Sequence, residues 1–144
     1  MTPTATSAHK ALLRHLNEAL NSGDLDLVEQ TIDEVFHPDV HIRTPLRIDA
    51  TGAALMKQVW STLLQAFPDL HVEIEDLVAE GDRVVARNTV TGTHRGAYLG
   101  LPAAQRRITW SEIFIGRLRD GRVVETWGVV DVAAQMRQLG LLPA

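Results

Sequence analysis

With 144 residues and 45% hydrophobic content, the chain is expected to form one domain spanning 1–144, with no room for a second. Its net charge of -4 supplies no general attraction to phosphate backbones, and Arg106-Arg107 is the one adjacent arginine pair, so nucleic acid is not an expected partner. The absence of cysteine excludes disulfides, thiolate metal sites and thiol nucleophiles.

Met1 to Lys10 contains no apolar stretch of the signal-peptide kind, and residues 1–8 read as a flexible tail. No run of eighteen apolar residues occurs, so no membrane contact is expected, and a soluble, cytoplasmic protein is. Leu12, Leu13, Leu16, Ala19 and Leu20 recur at helical spacing after Ser7 as a possible cap, and Asn21-Ser-Gly23 supplies the stop. Asp24 can cap a second helix with Leu27, Val28, Ile32 and Val35 as its apolar stripe, ending before His37-Pro38. A short strand follows at about Val40 to Arg43. Gly52 to Phe67 reads as a third helix, with Leu55, Val59, Leu63 and Ala66 on one face and Pro68 just beyond.

From Leu70 onward the period changes to alternation: Leu70 to Ala79, the turn Glu80-Gly-Asp82, Arg83 to Thr93, a Gly/Pro loop from Gly96 to Pro102, and Arg106 to Leu118. Asp120-Gly121 is a two-residue hairpin signal, and Arg122 to Val130 is the returning strand. Three helices preceding an antiparallel sheet make the fold class α+β. In Ile108 to Leu118, Ile113 and Ile115 fall on one side and Trp110 and Phe114 on the other, so both faces need cover. Helices can cover one; a second copy of the chain is expected on the other, giving a homodimer joined through sheets.

The chain's end carries its most suggestive chemistry. Asp131 ends an apolar strand, and a carboxylate among apolar neighbours has a raised pKa suited to general base work. Asp is equally a preferred helix cap, and a helical pattern starts near Val132. Counting by twos from Asp131, Val129, Trp127, Glu125 and Val123 share its face, which makes Trp127 and Val129 candidate cavity walls. Glu125, nearer the hairpin, reads as a rim or structural acid. His37-Pro-Asp-Val-His41 alternates two His with an Asp, but Pro38 interrupts regular geometry and no full ligand set follows, so no metal is expected. His41 or His37 facing the cavity could orient a substrate carbonyl. Trp60, Phe67 and Met56 fit helix packing and could also line the cavity; Ile115 is a further candidate for substrate contact. Gly92 to Gly96, around His94, lacks the features of a phosphate cradle and reads as a bend in the sheet. Ser111 has no nucleophile-elbow pattern.

Helices followed by a strongly curved sheet suggest a cone with an internal cavity, and here the chain resembles the SnoaL-like polyketide cyclases, within the ketosteroid-isomerase and nuclear-transport-factor-like superfamily. The resemblance runs from about Ala11 to Gly140. It rests on Asn21-Ser-Gly-Asp-Leu25, Phe67-Pro-Asp-Leu70, Gly92-Thr-His-Arg-Gly96, Tyr98-Leu-Gly-Leu-Pro102, Asp120-Gly-Arg-Val-Val-Glu125 and Trp127 through Gly140. It implies a cone-shaped α+β barrel with an internal cavity, no cofactor, and a polycyclic aromatic substrate. The implied reaction is an intramolecular aldol ring closure with Asp131 as base. A cavity His that assists in those cyclases falls on Arg117, which stays protonated and could stabilise an enolate but not exchange a proton. Hydroxylation of a similar polycyclic compound is the alternative activity implied by near relatives, and a non-catalytic binding module is a third reading. No GxGxxG follows a strand, so neither flavin nor nicotinamide is indicated.

Overall fold

The computed structural model describes residues 4–143. Helix α1 covers Ala5–Ser22, so its first turn occupies part of the expected tail; residues 1–3 of that tail lie outside the described residues. Thr4, rather than Ser7, is its cap: the Thr4 hydroxyl accepts from the Ser7 amide at 3.1 Å. Gly23, at φ 71°, ends the helix as Asn21-Ser-Gly23 foretold. Helix α2 spans Leu25–Val35, with the Asp24 carboxylate accepting from the Leu27 amide at 3.2 Å. Replacing Asp24 with Ala is expected to cost about 1 kcal/mol, read as a lowered urea midpoint with unchanged m.

Strand β1 is Phe36–His41, starting four residues and ending two residues earlier than the expected Val40 to Arg43, and it includes Pro38. A proline is tolerated there because β1 lies at the edge of the sheet, where a missing N–H breaks no ladder. Helix α3 is Gly52–Ala66, followed by β2 (His71–Glu80), β3 (Arg83–Thr93), β4 (Arg107–Arg119), β5 (Arg122–Val130) and α4 (Val132–Gln138). Asp120 and Gly121 both take positive φ, 53° and 78°, the backbone that a tight β4–β5 hairpin requires.

The five strands form one sheet in the order β1-β5-β4-β3-β2. The β2–β3, β3–β4 and β4–β5 pairs are antiparallel, whereas β1 runs parallel to β5. The expected all-antiparallel sheet is therefore mixed, and it stays open at β1 and β2. Hairpin signals report direction only between sequential strands, and β1 meets a strand some eighty residues away.

Helices α1, α2 and α3 pack against the sheet, α1 on β2 and β3, α2 on β1 and β5 and α3 on β1. One apolar cluster joins Leu13, Leu16, Leu20, Ile32, Phe36 and Met56; a second joins Val59, Leu63, Phe67, Tyr98, Ile108 and Trp110. Trp60 and Leu64 touch both. At the sheet edge Asn21 acts like a further strand: its Oδ1 accepts from the Val72 amide at 2.7 Å and its Nδ2 donates to the Val72 carbonyl at 2.9 Å. Among the described residues no helix is long and apolar enough to cross a membrane.

Candidate active site

Between the two apolar clusters lies a cavity of about 130 Å³. Leu16, Leu20, Met56, Trp60, Leu63 and Phe114 supply apolar wall, and the irregular segment Arg43–Leu46 contributes a further side. Of the sequence candidates, Trp60 and Met56 line this cavity and Phe67 does not. The polar groups that reach it include Asn17, Asn88, Tyr98, Glu112 and Thr126.

Asp131 does not line it. Its side chain is exposed, and Oδ1 accepts from the Ala134 amide at 3.0 Å to cap α4. Both inferences drawn from Asp131 depended on which face of β5 is inward, and counting by twos from it selected the outer one. Thr126, Gly128 and Val130 face the cavity; Trp127 and Val129 face outward, Val129 at 70% exposure. The pairing of β4 with β5 slips between Arg117 and Leu118, leaving Val124 as an extra residue. A strict period of two therefore cannot carry the face of Val123 through to Asp131.

Arg117 and Ile115 share that outer face. Arg117 Nε donates to Glu125 Oε1 at 3.1 Å, and Ile115 pairs with Trp127. Arg43 Nη2 holds the other Glu125 oxygen at 3.0 Å, and its guanidinium stacks 4.8 Å from the centre of the Trp127 ring, with Arg83 at 5.4 Å. Arg117 and Arg43 hold the Glu125 carboxyl below the usual carboxylate range, the Arg117 hydrogen bond being the largest cause. Glu125 is thus held between two arginines on the outer face and does not line the cavity. His41 is exposed on β1 and His37 is half-buried, its Nδ1 accepting from the Asp39 amide at 3.0 Å; neither lines the cavity. Among the described residues no three His, Asp or Glu side chains come together in a group able to hold a metal ion.

The carboxylate that does face the cavity is Glu112, on β4. It follows Trp110 and precedes Phe114 on the inward side of the strand. Burial pushes its pKa upward, opposed by the Trp110 indole N–H, which donates to Oε1 at 2.8 Å. Nearby, Tyr98 donates through its hydroxyl to Gln135 Oε1 at 3.1 Å. Its pKa is also raised, first by burial and further by the charge of Glu112, while the Gln135 contact opposes. An acid of raised pKa in an apolar chamber is a competent proton acceptor near neutral pH and, once protonated, a donor. The inward parity of Ile108, Trp110, Glu112 and Phe114 was the available signal for it.

The Gly92–Gly96 segment is no simple bend. Arg95 and Gly96 amides both donate to the Ala66 carbonyl, at 2.9 and 3.2 Å, fixing the loop against the end of α3. His94 is fully buried beside Phe67 and Tyr98, its Nδ1 accepting from the Ala104 amide at 3.1 Å.

The SnoaL-like polyketide cyclase family profile matches residues 10–139. The chain is similar to the aklanonic acid methyl ester cyclase DnrD of Streptomyces peucetius, 29% identical over 131 residues that cover 90% of this chain and 88% of that protein. It is similar in structure to AclR of Streptomyces galilaeus, provisionally described as a hydroxylase, with TM-score 0.81 and 33% identity over 97% of this chain and 85% of AclR. TsrD of Streptomyces laurentii superimposes with TM-score 0.84 and 31% identity, covering 97% of this chain and all of that one. The match of that profile along nearly the whole chain, on an open α+β sheet lined by helices, places the chain in the SnoaL-like polyketide cyclase family.

Proposed function

We propose that the protein closes a ring in an aromatic polyketide-type intermediate by acid/base catalysis of an intramolecular aldol addition, with Glu112 as the proton-transfer group. The observation that carries this reading is a carboxyl of raised pKa lining an apolar cavity. Glu112 takes a proton from the carbon beside a substrate carbonyl, the resulting enolate adds to a second carbonyl, and the proton returns to the new alkoxide. The substrate's conjugation delocalises the carbanion, so the chain's own task is orientation and proton transfer. Trp60 and Phe114 offer apolar surface to a flat ring. The reaction as written requires no cofactor. The similarity to DnrD supports the reaction class.

Incubation with candidate polyketide intermediates, followed by mass spectrometry, tests the reading. Isomerisation or loss of water is the expected result, and an unchanged substrate across the series would refute it. The likeness to AclR supports a second reading, hydroxylation of a reduced aromatic ring by dioxygen with a separate reductant. A gain of one oxygen with consumption of dioxygen would select it.

The outer face of the sheet supports the homodimer. Ile113 and Val129 are paired in register across β4 and β5 and are 43% and 70% exposed, beside the Ile115–Trp127 pair. An exposed apolar strip of this kind suits a second copy related by a twofold axis. Val129→Glu is expected to shift sedimentation from dimer to monomer; a parent protein that sediments as a monomer would remove the proposal.

A further inference from the structure

Two polar side chains stand opposite each other in the cavity wall. Asn88 of β3 and Glu112 of β4 are register partners in the antiparallel ladder, and both line the cavity. Their neighbours along the same face, Ala86, Val90, Trp110 and Phe114, are apolar or aromatic. Glu112 has one oxygen satisfied by the Trp110 indole. Asn88 Oδ1 is enclosed and has no hydrogen-bond partner.

That orphan is informative because other cavity polar groups are already engaged. Asn17 donates to the Val72 carbonyl, Tyr98 to Gln135, and Arg43 to Thr126 and Glu125. A buried carbonyl oxygen left unpaired is costly, and a valine at the same strand position would avoid that cost. The oxygen can be satisfied by a donor on a molecule in the cavity. Opposed side chains on one face of an antiparallel pair have Cβ atoms about 5 Å apart. Two oxygens on alternate carbons of a six-membered ring have a similar separation, whereas oxygens on adjacent carbons lie much closer.

We propose that Asn88 determines specificity by accepting a hydrogen bond from a phenolic or enolic hydroxyl of the substrate, while Glu112 engages the oxygen two carbons away, so that the cavity selects rings oxygenated in a 1,3 pattern. The assignment rests on the reading of this cavity as the acid/base site. Asn88 performs no proton transfer; it fixes the ring so that the carbon between or beside the two oxygens faces the Glu112 carboxyl. A site built to pair a hydroxyl rejects an analogue that lacks it, because its own polar group is then stranded.

Isothermal titration calorimetry with three probes tests this: 1,3-dihydroxynaphthalene, 2,3-dihydroxynaphthalene and 1,3-dimethoxynaphthalene. The parent protein is expected to bind the first at least about fivefold tighter than either of the others. In Asn88→Leu the preference falls to within about twofold through weaker binding of the 1,3-diol alone. Thermal melting checks that the variant folds, and Asn88→Val serves the same purpose if it does not. Equal affinity of the parent for the diols, absence of binding by the 1,3-diol, or a preference that survives in the variants would overturn the assignment. Glu112→Gln separates the two readings, since its amide still reaches the second oxygen. Lost turnover in that variant with no 1,3 preference in the parent sinks the Asn88 assignment alone. Full turnover with the preference intact sinks the acid/base role alone.

Discussion

Replacing Glu112 with Gln is expected to lower kcat by about 10²–10⁴-fold, the usual contribution of one positioned acid/base group. The substitution keeps the side chain's size and an oxygen for the Trp110 indole to bond, so the loss reports proton transfer rather than packing. Asp131→Asn is expected to leave turnover near the parent level, since the exposed Asp131 serves as a cap and Asn caps nearly as well. The reverse outcome, a dead Asp131→Asn and an active Glu112→Gln, would reassign the chemistry to the helix cap.

The same carboxyl sets a pH signature. Because burial raises its pKa, kcat/KM should climb as Glu112 ionises, along a limb displaced above the ordinary carboxylate value, and Glu112→Gln should abolish that limb. Stability carries the opposite sign. Between the unfolded carboxyl pKa and the raised native one, the folded state binds more protons than the unfolded state, so stability falls as pH rises through that window. Thermal melts of the parent and Glu112→Gln should therefore diverge across it, with the parent losing ground toward higher pH. Parallel melting curves would show that the carboxyl is not desolvated in solution.

Gly96→Ala is expected to destabilise the fold by about 1–3 kcal/mol through overpacking, a fall in Tm of roughly 3–10 °C for a chain of this size. A Cβ at Gly96 would collide with the Gln65 carbonyl oxygen and press on Ala66 at 3.2 Å. The obstacle is backbone at the end of α3, which cannot rotate away as a side chain can. Moving the loop instead would strain the paired bonds from Arg95 and Gly96 to the Ala66 carbonyl. Since Tyr98 lines the cavity two residues later, the variant should also weaken ligand binding. An unchanged Tm would mean that the loop is free to shift.

Local chemistry was readable from the chain at several places where partners are close in sequence, though the cap of α1 is Thr4 and not Ser7. Asp24 caps its helix, Gly23 ends the one before it, and Asp120-Gly121 turns the last hairpin, because each depends on backbone conformation within a few residues. The switch from a period of 3.6 to a period of two likewise fixed the order of helices and strands. What periodicity cannot state is which of two apolar faces is concave. Ile113 and Ile115 alternate with Trp110, Glu112 and Phe114, and both sets are apolar enough to be core. That ambiguity is why counting from Asp131 puts Trp127 and Val129 on the cavity side, whereas Arg117 enters only through the resemblance.

The sequence by itself determined the α+β class, the family and the caps at Gly23 and Asp24, since these follow from local propensity and from patterns matched along the whole chain. Tertiary structure decided the rest. The parallel β1–β5 pairing and the packing of α1, α2 and α3 against the sheet arise from contacts between residues far apart in the chain, and the bulge at Val124 resets the parity within the last hairpin. Those contacts turned Asp131 outward and Glu112 inward. Which acid reaches the cavity is a matter of which side of the sheet the helices cover, and the desolvation that raises its pKa exists only once they do.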